Sequence, residues 1–408
     1  MLDFTGLVGT RRITTIVALC IAVSCILAAC SRGEMAARNE LEAIIERDAV
    51  LFDFEDIPDA LSAKLSGYAV VVLGEYHGVL EHHSLVREMA KALHPKGFRG
   101  LILEYPHGFS WMLTEYSTGR INEADPLLLE HTPGILAEIR EYNARLGEDE
   151  RLSVSGCDIN HHPYYFVSSL DYISELIGDS DCMEELREAL LTPEGQYLES
   201  SRYISVLDEY AEYLRDHRNE LSSAWGTRWY DMVSELVEIE ILSVGIRESY
   251  DEDYAAAHAQ REEVIKLLVD RRLSELDGPA LVNVGSYHGQ KKHFMGTEKE
   301  WLAEYLHESS PVTAGSSFSV KAIPAEGTIE MDGPGNNIRV SFRDEPGNKE
   351  LLSLLASRAD DRAAFLPLDD PLFSEKRVDL DYHHRRMAIR PKDQYDAFIL
   401  YPRASVYR

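Results

Sequence analysis

The feature that most constrains the fold of this chain is a series of four short apolar runs, each of which ends in polar residues. The runs cover residues 69–73, 100–103, 152–155 and 280–284. Continuous apolar runs of this length are typical of parallel strands that are buried on both faces. Amphipathic helical patterns separate them, such as Leu85, Met89 and Leu93 at four-residue spacing. This alternation predicts an α/β fold with a mostly parallel sheet flanked by helices.

Two regions depart from this alternation. Between about residues 165 and 276 the pattern is helical almost throughout, which predicts a large helical insertion between strands. From about residue 312 to residue 408 several runs alternate like strands, and the turn signal Gly333-Pro334-Gly335 separates two of them. We expect these C-terminal strands to extend the sheet. Residues 49–408 are therefore predicted to form one α/β domain.

The first 29 residues are typical of a signal peptide. Two arginines precede an apolar run over residues 13–27, which is shorter than the roughly 20 residues of a membrane span. Small residues lead from this run to Cys30, and the sequence Leu-Ala-Ala-Cys resembles the bacterial lipobox, whose cysteine is lipidated with palmitate-type chains. The alternative is an ordinary signal anchor. We expect residues 30–48 to be a lipidated tether that has helical character but no core residues.

The lipobox also implies a location. Ser31 follows the cysteine, and by resemblance this favours outer-membrane sorting, with the protein facing the periplasm. The chain has 41 basic and 70 acidic side chains, and such a surface repels nucleic acid, which needs cationic contacts. The lipid, not a basic surface, would then hold the protein at the membrane. Cys157 and Cys182 remain after Cys30. They could pair in an oxidising periplasm, but Cys157 ends a predicted buried strand, so we expect two free thiols.

Titratable residues follow each of the four apolar runs. Glu75 and His77 follow the first run, Glu104 the second, Asp158 the third and His288 the fourth. In open parallel sheets, ligands bind outside the carboxyl ends of the strands. We therefore expect these five side chains to meet in one crevice, which would take a small-molecule or peptide substrate.

The residue types in this crevice permit few kinds of chemistry. A histidine oriented by a carboxylate is a competent general base, so the simplest mechanism is activation of water by His77, with His288 polarising or protonating the substrate. Glu75, His77, Glu104 and His288 could equally hold a divalent metal. Arg261, on a late helix, could anchor an anionic group, although a salt bridge on the helix surface is the simpler interpretation. The sequence has neither a Gly-x-Ser-x-Gly elbow nor a His-Glu-x-x-His helix.

Several of these segments resemble the superfamily that joins erythromycin esterases, ChaN-type haem-uptake lipoproteins and Tiki-type proteases. The matching segments are residues 73–78, 103–104, 111–119, 156–159, 261–262, 284–288 and 395–399. The resemblance implies that His77 activates water, that Glu75 or Glu104 orients it, and that His288 supports the developing oxyanion. It also implies that Asp158 and Arg261 bind the substrate.

The sequence departs from the esterase pattern in one respect. The esterases commonly place two residues between the glutamate and the histidine, whereas only Tyr76 separates Glu75 from His77. This spacing, the following His82 and His83, and the lipid anchor are closer to the ChaN type, while the length and the helical insertion are closer to the esterases. A lipid-anchored hydrolase of an ester or amide, with or without a metal, is the leading hypothesis.

Two other functions stay open. The first is a haem-binding lipoprotein for iron uptake without catalysis, in which a tyrosine near the crevice would ligate the haem iron. The second is a structural lipoprotein of the cell envelope.

Overall fold

The computed structural model describes residues 38–132, 134–178, 181–292, 300–313, 315–330, 337–341, 350–375, 378–382 and 385–406. The predicted signal peptide, Cys30 and the predicted turn at Gly333-Pro334-Gly335 lie outside the described residues. No helix within these ranges is both long enough and apolar enough to cross a bilayer.

A nine-stranded sheet forms the centre of the molecule. The strands within the described ranges are β1 (Val50–Phe52), β2 (Val70–Glu75), β3 (Gly100–Pro106), β4 (Ser153–Asp158), β5 (Ala280–Gly285), β6 (Ser317–Glu330), β7 (Asn337–Ser341), β8 (Ala363–Pro367), β9 (Val378–Tyr382), β10 (Arg385–Ile389) and β11 (Ala397–Ala404). The order in the sheet is β1-β8-β11-β6-β2-β5-β3-β4, and β7 pairs with β6. The pairings from β11 through to β4 are parallel, whereas β1, β7 and β8 pair antiparallel. The predicted α/β fold with a mostly parallel sheet is therefore confirmed.

Helices cover both faces of this sheet. They are α1 (38–48), α2 (Asp59–Leu65), α3 (Leu80–Leu93), α4 (Ser110–Ser117), α5 (Pro126–His131), α6 (Ile135–Asn143), α7 (Pro163–Ile177), α8 (Asp181–Ala189), α9 (Ser200–Asp216), α10 (Arg218–Trp225), α11 (Thr227–Glu252), α12 (Tyr254–Glu275), α13 (Leu302–Glu308), α14 (Glu350–Ala359), α15 (Leu372–Glu375) and α16 (Pro391–Gln394). Helices α7 to α12 stand between β4 and β5 and form the predicted helical insertion.

The strand β2 shows why an uninterrupted apolar run suits this sheet. Successive side chains of a strand point to opposite faces. Val71 and Leu73 therefore pack into the core on one face, and Val70 and Val72 pack into the core on the other. All four are inaccessible to solvent. Complete burial of each such side chain stabilises the fold by about 1.5–3 kcal/mol.

The C-terminal region extends the sheet through β6, β7, β8 and β11, as expected. Strands β9 and β10 are an exception, because they pair only with each other in a separate two-stranded sheet. The expectation that all C-terminal strands join the main sheet is wrong for these two. Cys157 and Cys182 are both free thiols, as predicted.

The N-terminal helix α1 corrects another expectation. Leu41, Ile44 and Ile45 are 7%, 4% and 2% exposed and belong to the same core cluster as residues of α14 and β8. Their spacing places them on one face of the helix. The predicted helical character is right, but the prediction that this stretch contributes no core residues is wrong, because three apolar side chains on one helix face are enough to dock it.

Candidate functional site

The candidate site lies at the carboxyl edge of four neighbouring strands. Strands β4, β3, β5 and β2 are adjacent in the sheet and parallel to one another, so their carboxyl ends meet at the same edge. The contacts described below bring together the six side chains that the sequence singled out, namely Glu75, His77, Glu104, Asp158, Arg261 and His288.

The first part of the site is a pair formed by Glu75 and His77. His77 Nδ1 donates to Glu75 Oε1 at 3.0 Å, and 62% of the His77 side chain is exposed. The other carboxylate oxygen, Glu75 Oε2, accepts from Asn283 Nδ2 at 2.8 Å and lies 3.0 Å from His82 Nε2. Burial raises the pKa of Glu75, but the electrostatic and hydrogen-bond effects of His82 and His77 outweigh it, so this pKa lies well below its ordinary value.

Gly285 brings this pair close to the next strand. A Cβ atom added to Gly285 would lie 2.8 Å from His77 Nε2 and 3.3 Å from Glu104 Oε2, so a side chain larger than glycine would displace the imidazole. The backbone N–H of Gly285 donates to Glu104 Oε2 at 2.6 Å. The absence of a side chain here therefore lets His77 and Glu104 approach each other.

The second part of the site is a buried imidazole, His288, which stands between two carboxylates. Its Nδ1 donates to Glu262 Oε2 at 2.7 Å, and its Nε2 lies 3.4 Å from Glu104 Oε1. Glu262 is inaccessible to solvent, and its other oxygen accepts from the Leu302 N–H at 2.7 Å. The contacts of Glu262 therefore fix both the position of His288 and the nitrogen that faces Glu104.

The third part is an ion-pair network around Arg261. The guanidinium donates to Asp158 at 2.8 and 2.7 Å and also to Glu104 Oε1. The Arg261 side chain is 11% exposed, so the simpler interpretation of Arg261 as a surface salt bridge is wrong. Since α12 packs over β4 and β3, its Arg261 lies against the ends of both strands. Substrate binding by Arg261 and Asp158 stays a prediction, because here they bind each other.

The two imidazoles of the site are both biased towards the protonated form. Burial lowers the pKa of His288, but the charges of Glu262 and Glu104 outweigh burial and raise it to about 10. Partial desolvation at the crevice disfavours the charged form of His77, but the hydrogen bond to Glu75 and the charge of Glu104 outweigh it and raise the pKa of His77 to about 9. Near pH 7 His288 is therefore an imidazolium, and His77 gains its basic form as the pH rises.

Two pairs of adjacent histidines, at residues 82–83 and 161–162, lie close to the site. His82 and His83 are both buried, and His82 contacts Glu75. His161 Nε2 lies 2.7 Å from Asp158 Oδ2, so His161 extends the network towards solvent. His162 instead accepts from the Tyr164 N–H at the start of α7. One member of each pair therefore adjoins the site.

Sequence reasoning assigns no role to two residues that the structure places in the site, Glu262 and Asn283. From the sequence, His82 could either line the crevice or face solvent, and the structure places it against Glu75. Asn283 could have been identified from the sequence, since it is the only polar residue in the run over residues 280–284. A buried polar side chain needs a hydrogen-bond partner, which makes such a residue a candidate for the site. Glu262 gave only the weak signal of adjacency to Arg261. The pattern of α12 does not distinguish a buried glutamate from an exposed one.

The arrangement is less suited to a metal than the residue types suggested. Among the residues that the structure describes, no group of three or more His, Cys, Asp or Glu side chains is placed to hold a metal ion. The Arg261 guanidinium occupies one side of Glu104, and the imidazoles of His77 and His288 are turned towards carboxylates. We therefore derive no step through a metal.

The chain thus combines a mostly parallel α/β sheet with carboxylate–imidazole pairs at the carboxyl edge of that sheet. No protein-family model and no curated protein matches the chain. Among solved structures, it is similar to a histidine-to-asparagine mutant of erythromycin esterase EreC in its open conformation, with 16% identity over 86% of this chain and 94% of that chain and a TM-score of 0.64. The predicted relationship to the erythromycin esterases is thus confirmed as a shared fold.

Two further structures resemble the chain. A succinoglycan biosynthesis protein is 14% identical over 90% of this chain and 97% of that chain, with a TM-score of 0.68. The haem-binding ChaN of Campylobacter jejuni is 15% identical over 70% of this chain and 93% of that chain, with a TM-score of 0.30. The last value is too low to support an argument.

Proposed function

We propose that this protein is a lipid-anchored hydrolase that cleaves an ester or amide of a small molecule or peptide through histidine-activated water. The observation that carries the proposal is the convergence of two carboxylate–imidazole pairs, Glu75 with His77 and Glu262 with His288, at one strand edge. The fold shared with an esterase supports it. Such pairs are the usual means of orienting an imidazole for proton transfer.

His77 would act as the general base. Since its Nδ1 donates to Glu75, its Nε2 is the nitrogen that accepts a proton from water. The water oxygen attacks the carbonyl carbon and forms a tetrahedral intermediate. Collapse of that intermediate breaks the bond to the alcohol or amine, which leaves with the proton that His77 accepted.

His288 would stabilise the developing negative charge. It is an imidazolium near pH 7 because of Glu262 and Glu104, and its long Nε2 contact of 3.4 Å to Glu104 can be replaced by a substrate oxygen. Donors that are placed before the reaction begins are the most effective stabilisers of an oxyanion. The exposed His77 would therefore be the general base, and the buried His288 would be the group that stabilises the oxyanion.

The test is turnover of a generic p-nitrophenyl ester and of a mixed peptide substrate by the purified protein. His77→Ala and His288→Ala should each abolish turnover, whereas Arg145→Ala, which removes one partner of an exposed surface pair, should not. Addition of a chelator tests the metal-assisted version of the prediction. If the wild type turns over neither substrate and shows a Soret band with haemin that is lost in crevice variants, the haem-binding alternative replaces the hydrolase.

The anchor is the second half of the proposal and is tested separately. Lipidation at Cys30 places the protein in the cell envelope, in the outer membrane facing the periplasm. Cys30→Ala should move the protein from the membrane fraction to the soluble fraction. Retention of the variant in the membrane fraction would refute lipid anchoring without affecting the proposed chemistry.

A further inference from the structure

The side of the Glu75 carboxylate that faces away from His77 is held by two residues with no role in the proposed reaction. Glu75 Oε2 accepts from Asn283 Nδ2 at 2.8 Å and lies 3.0 Å from His82 Nε2. His82 is inaccessible to solvent and Asn283 is 6% exposed. His82 and Asn283 thus form a buried clamp on one oxygen of Glu75, and the other oxygen bonds to the exposed His77.

The clamp is built on rigid elements. His82 lies in the first turn of α3, and Asn283 lies in β5, the strand that pairs with β2 on one side and β3 on the other. Leu73, two residues before Glu75, is the Cα partner of Asn283. The carboxylate is thus restrained from both the helix and the neighbouring strand, and regular elements position groups more accurately than loops do.

The contacts also determine where the His82 proton sits. Glu75 Oε2 and Asn283 Oδ1 are both acceptors, and they lie 3.0 and 2.7 Å from His82 Nε2. His82 Nε2 must therefore carry a hydrogen. His82 Nδ1 is buried without a hydrogen-bond partner in the described part of the chain, so within that part the ring is held through Nε2.

We propose that His82 and Asn283 are positioning residues, which hold Glu75 so that His77 keeps its hydrogen on Nδ1 and exposes the Nε2 lone pair to the crevice. A hydrogen bond to one ring nitrogen decides which nitrogen of an imidazole carries the proton. The consequence for catalysis depends on the proposed hydrolase function, whereas the consequence for the His77 tautomer does not.

The test compares His82→Leu, His82→Gln and Asn283→Leu in the full chain. ¹⁵N chemical shifts of the imidazoles, recorded where His77 is neutral, report its tautomer. The Nδ1–H form should dominate in the wild type and in His82→Gln, whose amide can still donate to Glu75. His82→Leu and Asn283→Leu should lose that preference and gain the Nε2–H form.

Activity gives an independent readout. For the p-nitrophenyl ester, kcat should fall about 10- to 100-fold in His82→Leu with little change in KM, because a small misplacement of a reacting group can cost that much. His82→Gln should recover most of the loss. His94→Leu is the matched control, since His94 is a buried histidine that follows α3 and bonds to Tyr142 and Glu150. It should leave both readouts unchanged.

The outcomes separate the two claims. If neither leucine variant changes the His77 tautomer, the positioning role is wrong, whatever happens to activity. If the tautomer changes but neither the wild type nor any variant hydrolyses the ester, the hydrolase proposal fails and the positioning role stands. If His82→Leu does not fold, as judged by circular dichroism, His82→Asn and Asn283→Ala provide the same comparison.

Discussion

Two buried histidines, His288 in the candidate site and His107 outside it, show what distinguishes a reactive imidazole from one that merely fills space. His288 and His107 are 6% and 2% exposed. Yet their pKa values shift in opposite directions. The pKa of His288 is raised to about 10. Burial and the charges of Arg272 and Arg271 lower the pKa of His107 to about 3, although Glu235 opposes them.

The difference lies in direct contact with carboxylates. His288 contacts Glu262 at 2.7 Å and Glu104 at 3.4 Å. His107 lines a separate cavity of about 610 Å³, where Glu235 is bound by Arg271 and Arg272. The Nδ1 atom of His107 has no hydrogen-bond partner among the described residues. Burial and the two arginines therefore favour the neutral form of His107, whereas carboxylates in contact with His288 favour its charged form despite burial.

The largest effect that this comparison predicts is that of Glu262→Gln. Without the carboxylate, His288 should approach the state of His107, because burial would then be opposed by Glu104 alone. We expect kcat/KM for the ester to fall by about 100-fold or more, since a misoriented imidazole is a poor catalyst, and the pKa of His288 measured by NMR to drop. An unchanged pKa would show that Glu262 is not the source of the difference.

The next prediction concerns the pH dependence of hydrolysis. The base His77 must be deprotonated, so the rate should rise as the pH approaches about 9. His288 must be protonated, so the rate should fall above about 10. We therefore expect a bell-shaped profile of kcat/KM with an alkaline maximum. A maximum near pH 6 would contradict the assignment of the two roles.

A further effect should be on the acid stability of the fold. The pKa of His107 is lower in the folded protein than the ordinary value of 6.5. Its contribution to stability is thus present above pH 6.5 and is lost as the pH falls towards about 3. His107→Phe should reduce this acid destabilisation, as measured by urea unfolding at pH 7 and pH 4. An equal loss of stability in wild type and variant between these pH values would count against it.

The opposite stability behaviour is expected of His288. Because its folded pKa is raised, its stabilising contribution is full below pH 6.5 and is lost as the pH rises through about 10. The difference in unfolding free energy between the wild type and Glu262→Gln should therefore shrink in alkaline solution. A difference that is constant between pH 7 and pH 10.5 would mean that His288 is not charged in the folded state.

The sequence allowed the fold and the strand ends to be predicted, because both depend on local pattern. An apolar run that ends in Glu75 or Glu104 can be recognised without knowledge of its neighbours. The contacts could not be predicted, since they depend on long-range packing. Arg261 and Glu262 are adjacent, and only the docking of α12 shows that one binds Asp158 and the other His288.

The docking of α1 sets a limit on how far the body of the protein can stand from its anchor. If Cys30 carries lipid, the linker between the anchor and the folded domain runs only from Cys30 to residue 38, because α1 is packed into the core from Leu41 onward. Eight residues span at most about 28 Å when fully extended. The folded domain would then lie within a few nanometres of the bilayer, and any ligand of the candidate site would be bound within that distance of the membrane.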